Sequence, residues 1–546
     1  MMQIDFTRMN ADHPQTEAIA SPGRHRPKYT TLLLLLILLL GFGLRVAGLT
    51  WGQAFCYGSQ GACLDAYQVA VNFEHGEPGA QYIGQPNFNH HSKLPGPLWA
   101  AFCALCLWLL KSTDGIVWAI ILLNTAAIYL TYLLAARTVG FPAALWAALL
   151  MATSPEAVEY SVVIFNPVVM SFLGACLFLA LWQVTQRDRS RATFWLFFLP
   201  LMMLQFHLSG LMLIPAIIAV LWLSPVQLNF PCLVAGFLAG LALFLPYFFG
   251  EMAHGWANTH GMILGASSGF SVEAFKAFSA PPGFLINYWG SRWTFRPDEY
   301  EDIGRACFGS YGVLLAFNVA SIILAALLVI GGFLEARKAL SGFWRTPRAT
   351  FAQSSGMVFL TIVFVMPLLA SLVHGQSFRG RYCLVLLAPL FSLAAMGAVR
   401  CLSWQRIRWF VMFLLVVTLV VNVWIVLAVY HFQGKCIKQG PIFAPTFEKL
   451  ETVYQILKNH AGKDRPIEVE DKDYLQALLP GDKIGKYPEM ISEYVAIREQ
   501  ENTWSGADTA HLLTYKLYRA EQVSPDDAAL VYREKGIALI ALPDQP

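Results

Sequence analysis

The sequence predicts an all-α polytopic membrane protein of about 11 to 13 transmembrane helices with a small α/β domain at its C-terminal end. Three observations predict it. Of 546 residues, 56% are hydrophobic and only 13% charged, against about 25% charged in an ordinary soluble domain. The apolar residues fall in long unbroken blocks, and the mean hydropathy is +0.51. From residue 432 onward the composition turns polar. A water-soluble enzyme is thereby excluded, and lipid becomes the solvent for most of the chain. Lys+Arg 38 against Asp+Glu 35 gives a net charge of +3, too balanced for the basic stripe that nucleic-acid phosphates require.

Taken in order, residues 1–28 are polar and carry Arg8, Arg24, His25, Arg26 and Lys28 just before the run TTLLLLLILLLGFGLRVAGL. This reads as a disordered cytoplasmic tail followed by a first span. No small-x-small cleavage site follows the apolar run promptly, which argues against a signal peptide. Residues 29–431 form the transmembrane region. After the first span, apolar blocks recur at about 95–110, 115–136, 140–155, 165–186, 192–208, 210–224, 230–250, 311–334, 354–374, 383–399 and 408–430. Most approach the ~20 residues a helix needs to cross hydrocarbon, and none alternates as barrel strands would.

Lys and Arg in short loops set the orientation. Arg187, Arg189 and Arg191, then Arg337, Lys338, Arg345 and Arg348, and finally Arg400, Arg406 and Arg408 belong inside. Loops 51–94 and 251–309, the short loop 375–382 and the C-terminal domain then lie outside, on one face. Twelve simple crossings give the wrong parity. Either the block at 95 does not fully cross, or 140–165 holds two crossings broken at Ser154-Pro155. In the domain 432–546, FEKLETVYQILKNH has helical spacing, and PIEVE, HLLTYKLY and GIALIAL read as strands.

The chemistry is to be sought in the outer loops. In loop 51–94, Asp65 opens the helical stretch LDAYQVAVNFEHG, where Leu64, Tyr67 and Val71 form an apolar face. The loop ends in His90, His91 and Lys93, followed by Pro95 and Pro97. A carboxylate and cations on one loop suit a reaction in which the acid takes a proton while the cations hold a phosphate leaving group. Cys56 and Cys63 in this loop are close enough in sequence to pair, or are two free thiols. Farther on, SPEAVEYSVVIFNP places Asn166 and Pro167 at the start of a helix, and QFHLSG places His207 at the end of another. The segment HGQSFRGRYCLVLLAPL carries Arg379, Arg381 and Tyr382 in an outer loop, where positive charge runs against the expected topology and points to an anionic ligand. Loop 251–309 is rich in aromatics, Trp289 among them, suited to stacking on a sugar or to an interfacial belt.

A first span, an outer loop with an acidic motif, K-x-P-x-P-L leading into the next helix, a later Ser-Pro, and RGRY before a Leu-rich helix together resemble the GT-C membrane glycosyltransferases over about residues 30–400. The branch containing protein O-mannosyltransferases and lipid A aminoarabinose transferases is the most similar. The resemblance implies transfer of a sugar from a polyprenyl-phosphate-linked donor to a lipid, glycan or protein acceptor on the outer face of a bacterial inner membrane. It implies Asp65 as general base in an inverting single displacement. It also implies that Lys93 and Arg381, with Arg379, His90 and His91 beside them, face the donor phosphate. Tyr67, Asn166, His207, Tyr382 and Trp289 are then candidate substrate contacts. Asp65 is followed by Ala66 where the family carries a second acid, and Ser92 stands where aminoarabinose transferases have a metal-binding Glu. A divalent metal is therefore left open. The rival readings are a glycan polymerase or ligase using a diphosphate-linked donor, and a non-enzymatic transporter of lipid-linked sugars. Against a transporter, the spans are nearly free of ionisable residues and show no related halves.

Overall fold

The computed structural model describes residues 28–51, 84, 93–110, 113–186, 190–224, 228–265, 280–285, 308–343, 345–353, 355–373, 380–435, 447–461, 467–470, 495–496, 499, 513–519, 530–534 and 537–541. Six helical segments among them are long and apolar enough to cross a membrane: Tyr29–Ala47, Gly115–Thr138, Asn166–Thr185, Gly312–Ala339, Arg381–Ser403 and Arg408–Ala428. The pair Phe230–Ala242 and Leu245–Ala253, bent by 44°, makes a seventh if it is one span. Shorter apolar helices, including Leu98–Leu110, Phe141–Thr153, Arg191–Phe206 and Leu208–Leu223, complete the bundle.

Burial ranks these helices. In Arg381–Ser403 and Asn166–Thr185, 83% and 78% of the apolar window is buried, against 28% in Tyr29–Ala47. The first two form the centre and the last faces lipid with Leu32, Leu35, Leu36 and Leu39. An apolar outer surface of this kind, continued by Trp222, Phe230, Phe333 and Trp409, is costly in water and costs nothing in hydrocarbon.

Lipid tails give helices no hydrophobic reason to associate, so close backbone approach must supply the attraction. The helix Leu387–Ser403 meets Tyr311–Ala339 in this way. A Cβ on Gly397 would strike the Leu328 carbonyl, and one on Gly331 would lie 2.7 Å from the Gly397 carbonyl oxygen. At one end of this pair Arg400 and Glu335 form an ion pair at 3.1 Å. Arg381 stands at the other end of the central span.

The segment after Phe141–Thr153 bears on the parity question. Ser154 caps the five-residue helix Pro155–Glu159, and a turn and a short 3-10 stretch, Asn166–Val169, lead into Met170–Thr185. Five residues rise only about 7.5 Å at 1.5 Å each, so residues 155–165 make no second crossing. The block at 95 yields a 13-residue helix, about 20 Å long and short of the ~30 Å hydrocarbon core.

Beyond residue 446 the described residues form the helix Phe447–Ala461 and a four-stranded sheet of order β1-β2-β4-β3, comprising β1 (Ile467–Glu470), β2 (Leu513–Arg519), β3 (Leu530–Glu534) and β4 (Ile537–Ala541). β1 and β2 run parallel, and β4 pairs antiparallel with β2 and β3. Lys458 and Tyr454 on the helix both reach Glu499, at 2.9 Å and 2.7 Å.

Candidate functional site

Arg381 opens the central span, and its charge is held in an aromatic frame. The guanidinium lies 5.6 Å from the Phe165 ring centroid and 5.2 Å from that of Tyr382. It also donates to the Tyr382 hydroxyl at 3.3 Å. Aromatic faces attract a cation without neutralising it.

The Tyr382 ring in turn sits 5.0 Å from the His207 ring. His207 occupies the break between Ser190–Phe206 and the 3-10 turn Leu208–Leu213. Its Nδ1 accepts the Ser209 backbone N–H at 3.1 Å and lies 2.9 Å from Ser209 Oγ. Desolvation first, and the Arg381 charge second, hold the imidazole well below its ordinary pKa. With Nδ1 accepting, the neutral ring carries its proton on Nε2 and offers a donor there.

The same break strands the Phe206 carbonyl, and Asn166 Nδ2 donates to it at 2.6 Å. Asn166 is buried, so this bond pins the start of the Asn166–Val169 3-10 helix to the His207 break. The K-x-P-x-P turn packs on the neighbouring residue: Gly96 has φ +124°, and a Cβ there would collide with the Gln205 amide. Only glycine meets both demands.

Lys93 is fixed through its backbone. Asn258 Oδ1 accepts the Lys93 N–H at 2.5 Å while Asn258 Nδ2 donates to the Lys93 carbonyl at 3.1 Å. Asn258 also donates to the Tyr247 hydroxyl at 3.2 Å, and buried Glu251 accepts the Thr259 N–H at 2.7 Å. A left-handed turn at Gly255 and Trp256, with φ +65° and +62°, folds this segment back on itself. Loop 51–94 and loop 251–309 are thus joined at Lys93.

Of the residues predicted from the sequence, Arg381, Tyr382 and His207 come together, and Asn166 joins them through Phe206 and Phe165. Three residues after Lys93, Gly96 packs against Gln205, next to Phe206; among the described residues no hydrogen bond or ion pair connects Lys93 to Arg381. Asp65, Tyr67, His90, His91, Trp289, Arg379 and the Cys56–Cys63 pair lie outside the described residues. No group of three or more His, Cys, Asp or Glu among the described residues is placed to hold a metal ion.

Sequence reasoning passed over several buried polar residues at this end of the bundle. Arg45, fully buried in the first span, donates to Ser161 Oγ at 3.0 Å and to the Gly41 carbonyl at 2.8 Å. Glu156 is buried on the turn after Ser154, and burial, then Glu159, pushes its pKa up to about 8. Tyr160, one turn farther, is also raised, chiefly by desolvation. An ionisable residue inside an apolar run was a signal available for Arg45; Glu156, in the polar stretch SPEAVEY, carried none.

No protein-family profile matches the chain, and no curated protein sequence does. Among solved structures it is similar to the crystal structure of ArnT from Cupriavidus metallidurans bound to undecaprenyl phosphate, at 10% identity and a TM-score of 0.52, over 94% of this chain and 98% of that one. The apo state of ArnT gives 11% identity and a TM-score of 0.49, over 94% and 97%. The Archaeoglobus fulgidus oligosaccharyltransferase in its apo form gives 14% and 0.46, over 90% and 70%. The first likeness shows that this chain shares the fold of ArnT along nearly its whole length.

Proposed function

We propose that this protein is a membrane glycosyltransferase that moves a sugar from a polyprenyl-phosphate-linked donor to a lipid, glycan or protein acceptor on the outer face of the membrane. The observation that carries the reading is the placement of Arg381. It is an arginine framed by Phe165 and Tyr382 beside the neutral donor His207, at one end of an apolar bundle. The bundle shares its fold with a protein bound to undecaprenyl phosphate. A lipid phosphate needs this combination of a cation at headgroup level and a surrounding solvent that accepts a ~50-carbon tail.

In this reading Arg381 and Lys93 hold the donor phosphate, with Arg379, His90 and His91 adding positive charge around it. The acceptor hydroxyl attacks the anomeric carbon from the face opposite the phosphate. The new C–O bond forms as the bond to phosphate breaks, the configuration inverts, and Asp65 takes the hydroxyl proton. Polyprenyl phosphate leaves with the electron pair, its charge offset by the cations, a role worth several kcal/mol in other enzymes. Tyr67, Asn166, Tyr382 and Trp289 are assigned to the substrate surround. The chain is assigned an orientation with its N-terminus in the cytoplasm and residues 432–546 outside.

The test is sugar transfer by the full-length protein in proteoliposomes from a panel of labelled undecaprenyl-phosphate monosaccharides to acceptors in a membrane extract. Asp65→Asn should lose transfer by at least 1000-fold and still bind undecaprenyl phosphate. Near-normal turnover in that variant removes Asp65 as the base, and competition by a diphosphate-linked sugar alone would favour a polymerase or ligase.

A further inference from the structure

The short helix Pro155–Glu159 and the turn after it carry two polar side chains that the proposed reaction leaves unused. Glu156 and Tyr160 lie one helical turn apart, only 8% and 7% exposed. The Tyr160 hydroxyl is enclosed with no hydrogen-bond partner, and the Glu156 carboxyl has none among the described residues. An enclosed, unpaired hydroxyl of this kind is costly, and the Glu156 carboxyl lies one turn away on the same helix face. Arg381 and Cys383 come within electrostatic range of Tyr160, with Glu159 beside both residues. Cys383 is also within range of Glu156. From the first span, Arg45 bonds Ser161 next to Tyr160. Phe284 covers the cluster: its ring stacks on Tyr160 at 6.3 Å, and its carbonyl accepts from Ser154 Oγ at 2.8 Å.

The enclosure therefore offers a carboxyl that accepts and, when neutral, donates, a phenolic hydroxyl that donates and accepts, and flat aromatic faces, all next to the arginine assigned to phosphate. We infer that Glu156 and Tyr160 form the subsite for the hydroxyl groups of the donor's sugar ring, and so determine which sugar the protein accepts. With the phosphate on Arg381, ring hydroxyls meet the Glu156 carboxyl and the Tyr160 hydroxyl, and ring C–H faces meet the Tyr160 and Phe284 rings. The inference rests on the proposed function and assigns sugar recognition, as distinct from phosphate recognition, to one helical turn.

The experiment compares two probes on the full-length protein in nanodiscs: undecaprenyl phosphate, and the same lipid carrying glucose, mannose or galactose. The wild type should bind at least one sugar-bearing lipid more tightly than the bare one. Tyr160→Phe, which removes a single oxygen and keeps the stacking ring, should weaken the preferred sugar-bearing lipid at least tenfold. It should change the bare lipid less than twofold. Glu156→Ala should behave likewise, with partial recovery in Glu156→Gln. Equal weakening of both probes, or no change in either, overturns the subsite while leaving phosphate binding standing. A wild type that gains nothing from any of the three sugars also overturns it. A wild type that binds neither probe overturns the proposed function and this inference with it.

Discussion

At the scale of the residue, the site depends on side chains whose partners lie far away in sequence. Asn258 is the clearest case, gripping both backbone groups of a residue 165 positions earlier. Asn258→Ala should remove those bonds, each worth about 0.5–1.5 kcal/mol net. The affinity for undecaprenyl phosphate should then fall about five- to tenfold, with a rise in KM for the donor exceeding any fall in kcat. Binding measured by native mass spectrometry and steady-state kinetics check this; an unchanged KM would mean that the Lys93 backbone needs no clamp. Glu156 gives a pH prediction. Its carboxyl is held above the ordinary range, to about 8, by burial and by Glu159. The neutral form is therefore the one the fold favours: the stability it contributes is complete below the unfolded carboxyl's pKa and is lost as pH rises through about 8. The melting temperature in detergent should fall between pH 6 and pH 9 in the wild type and fall less in Glu156→Gln. Neither role could be read from the sequence. Asn258 sits in ANTHGMIL with no motif around it, and SPEAVEY carries no signal that singles out Glu156. Arg381 stood out in the sequence because a positive charge in a loop read as outer violates a composition rule, which needs no knowledge of contacts.

At the scale of the element, breaks matter more than spans. The interruptions at Ser154 and at His207 place Tyr160, Glu156 and His207 at one end of the bundle, and side-chain oxygens and amides satisfy the backbone groups that each interruption frees. Asn166→Leu should leave the Phe206 carbonyl unpaired at a cost of about 1–3 kcal/mol, read as a lower melting temperature. Transfer should be reduced even where protein remains folded, because the His207 break loses its tether. Helix contacts carry a comparable prediction. Gly397→Val puts three carbons where the Leu328 carbonyl already excludes one. It should lower the yield of folded protein in detergent far more than a valine at Gly43, which has open space around it. Six spans, or seven with the bent pair, were legible because about 20 apolar residues have few alternatives in water or lipid; the other blocks form shorter helices among the described residues. The breaks were partly legible from Ser-Pro and QFHLSG. The number of crossings between 95 and 165 was not, because a 13-residue apolar run has the same composition whether it spans, stops short or packs inside.

At the scale of the whole molecule, the architecture separates two tasks. In the proposed function, bulk apolar surface would solvate the carrier's tail, and a small polar enclosure at one end would handle charge and hydroxyl groups, where hydrogen bonds are worth more than in water. The basic residues at the opposite end, marked by the Arg400 and Glu335 pair and by Arg348 donating to the Trp222 carbonyl, are far from that enclosure along the helices. The most direct measurement is the binding of undecaprenyl phosphate to the full-length protein in nanodiscs, wild type against Arg381→Ala, with undecaprenol and phosphatidylglycerol as controls. The account predicts saturable binding of undecaprenyl phosphate over both controls, weakened at least tenfold by the substitution. Equal binding of all three lipids, or an Arg381→Ala protein that is folded and binds undecaprenyl phosphate as the wild type does, would contradict it.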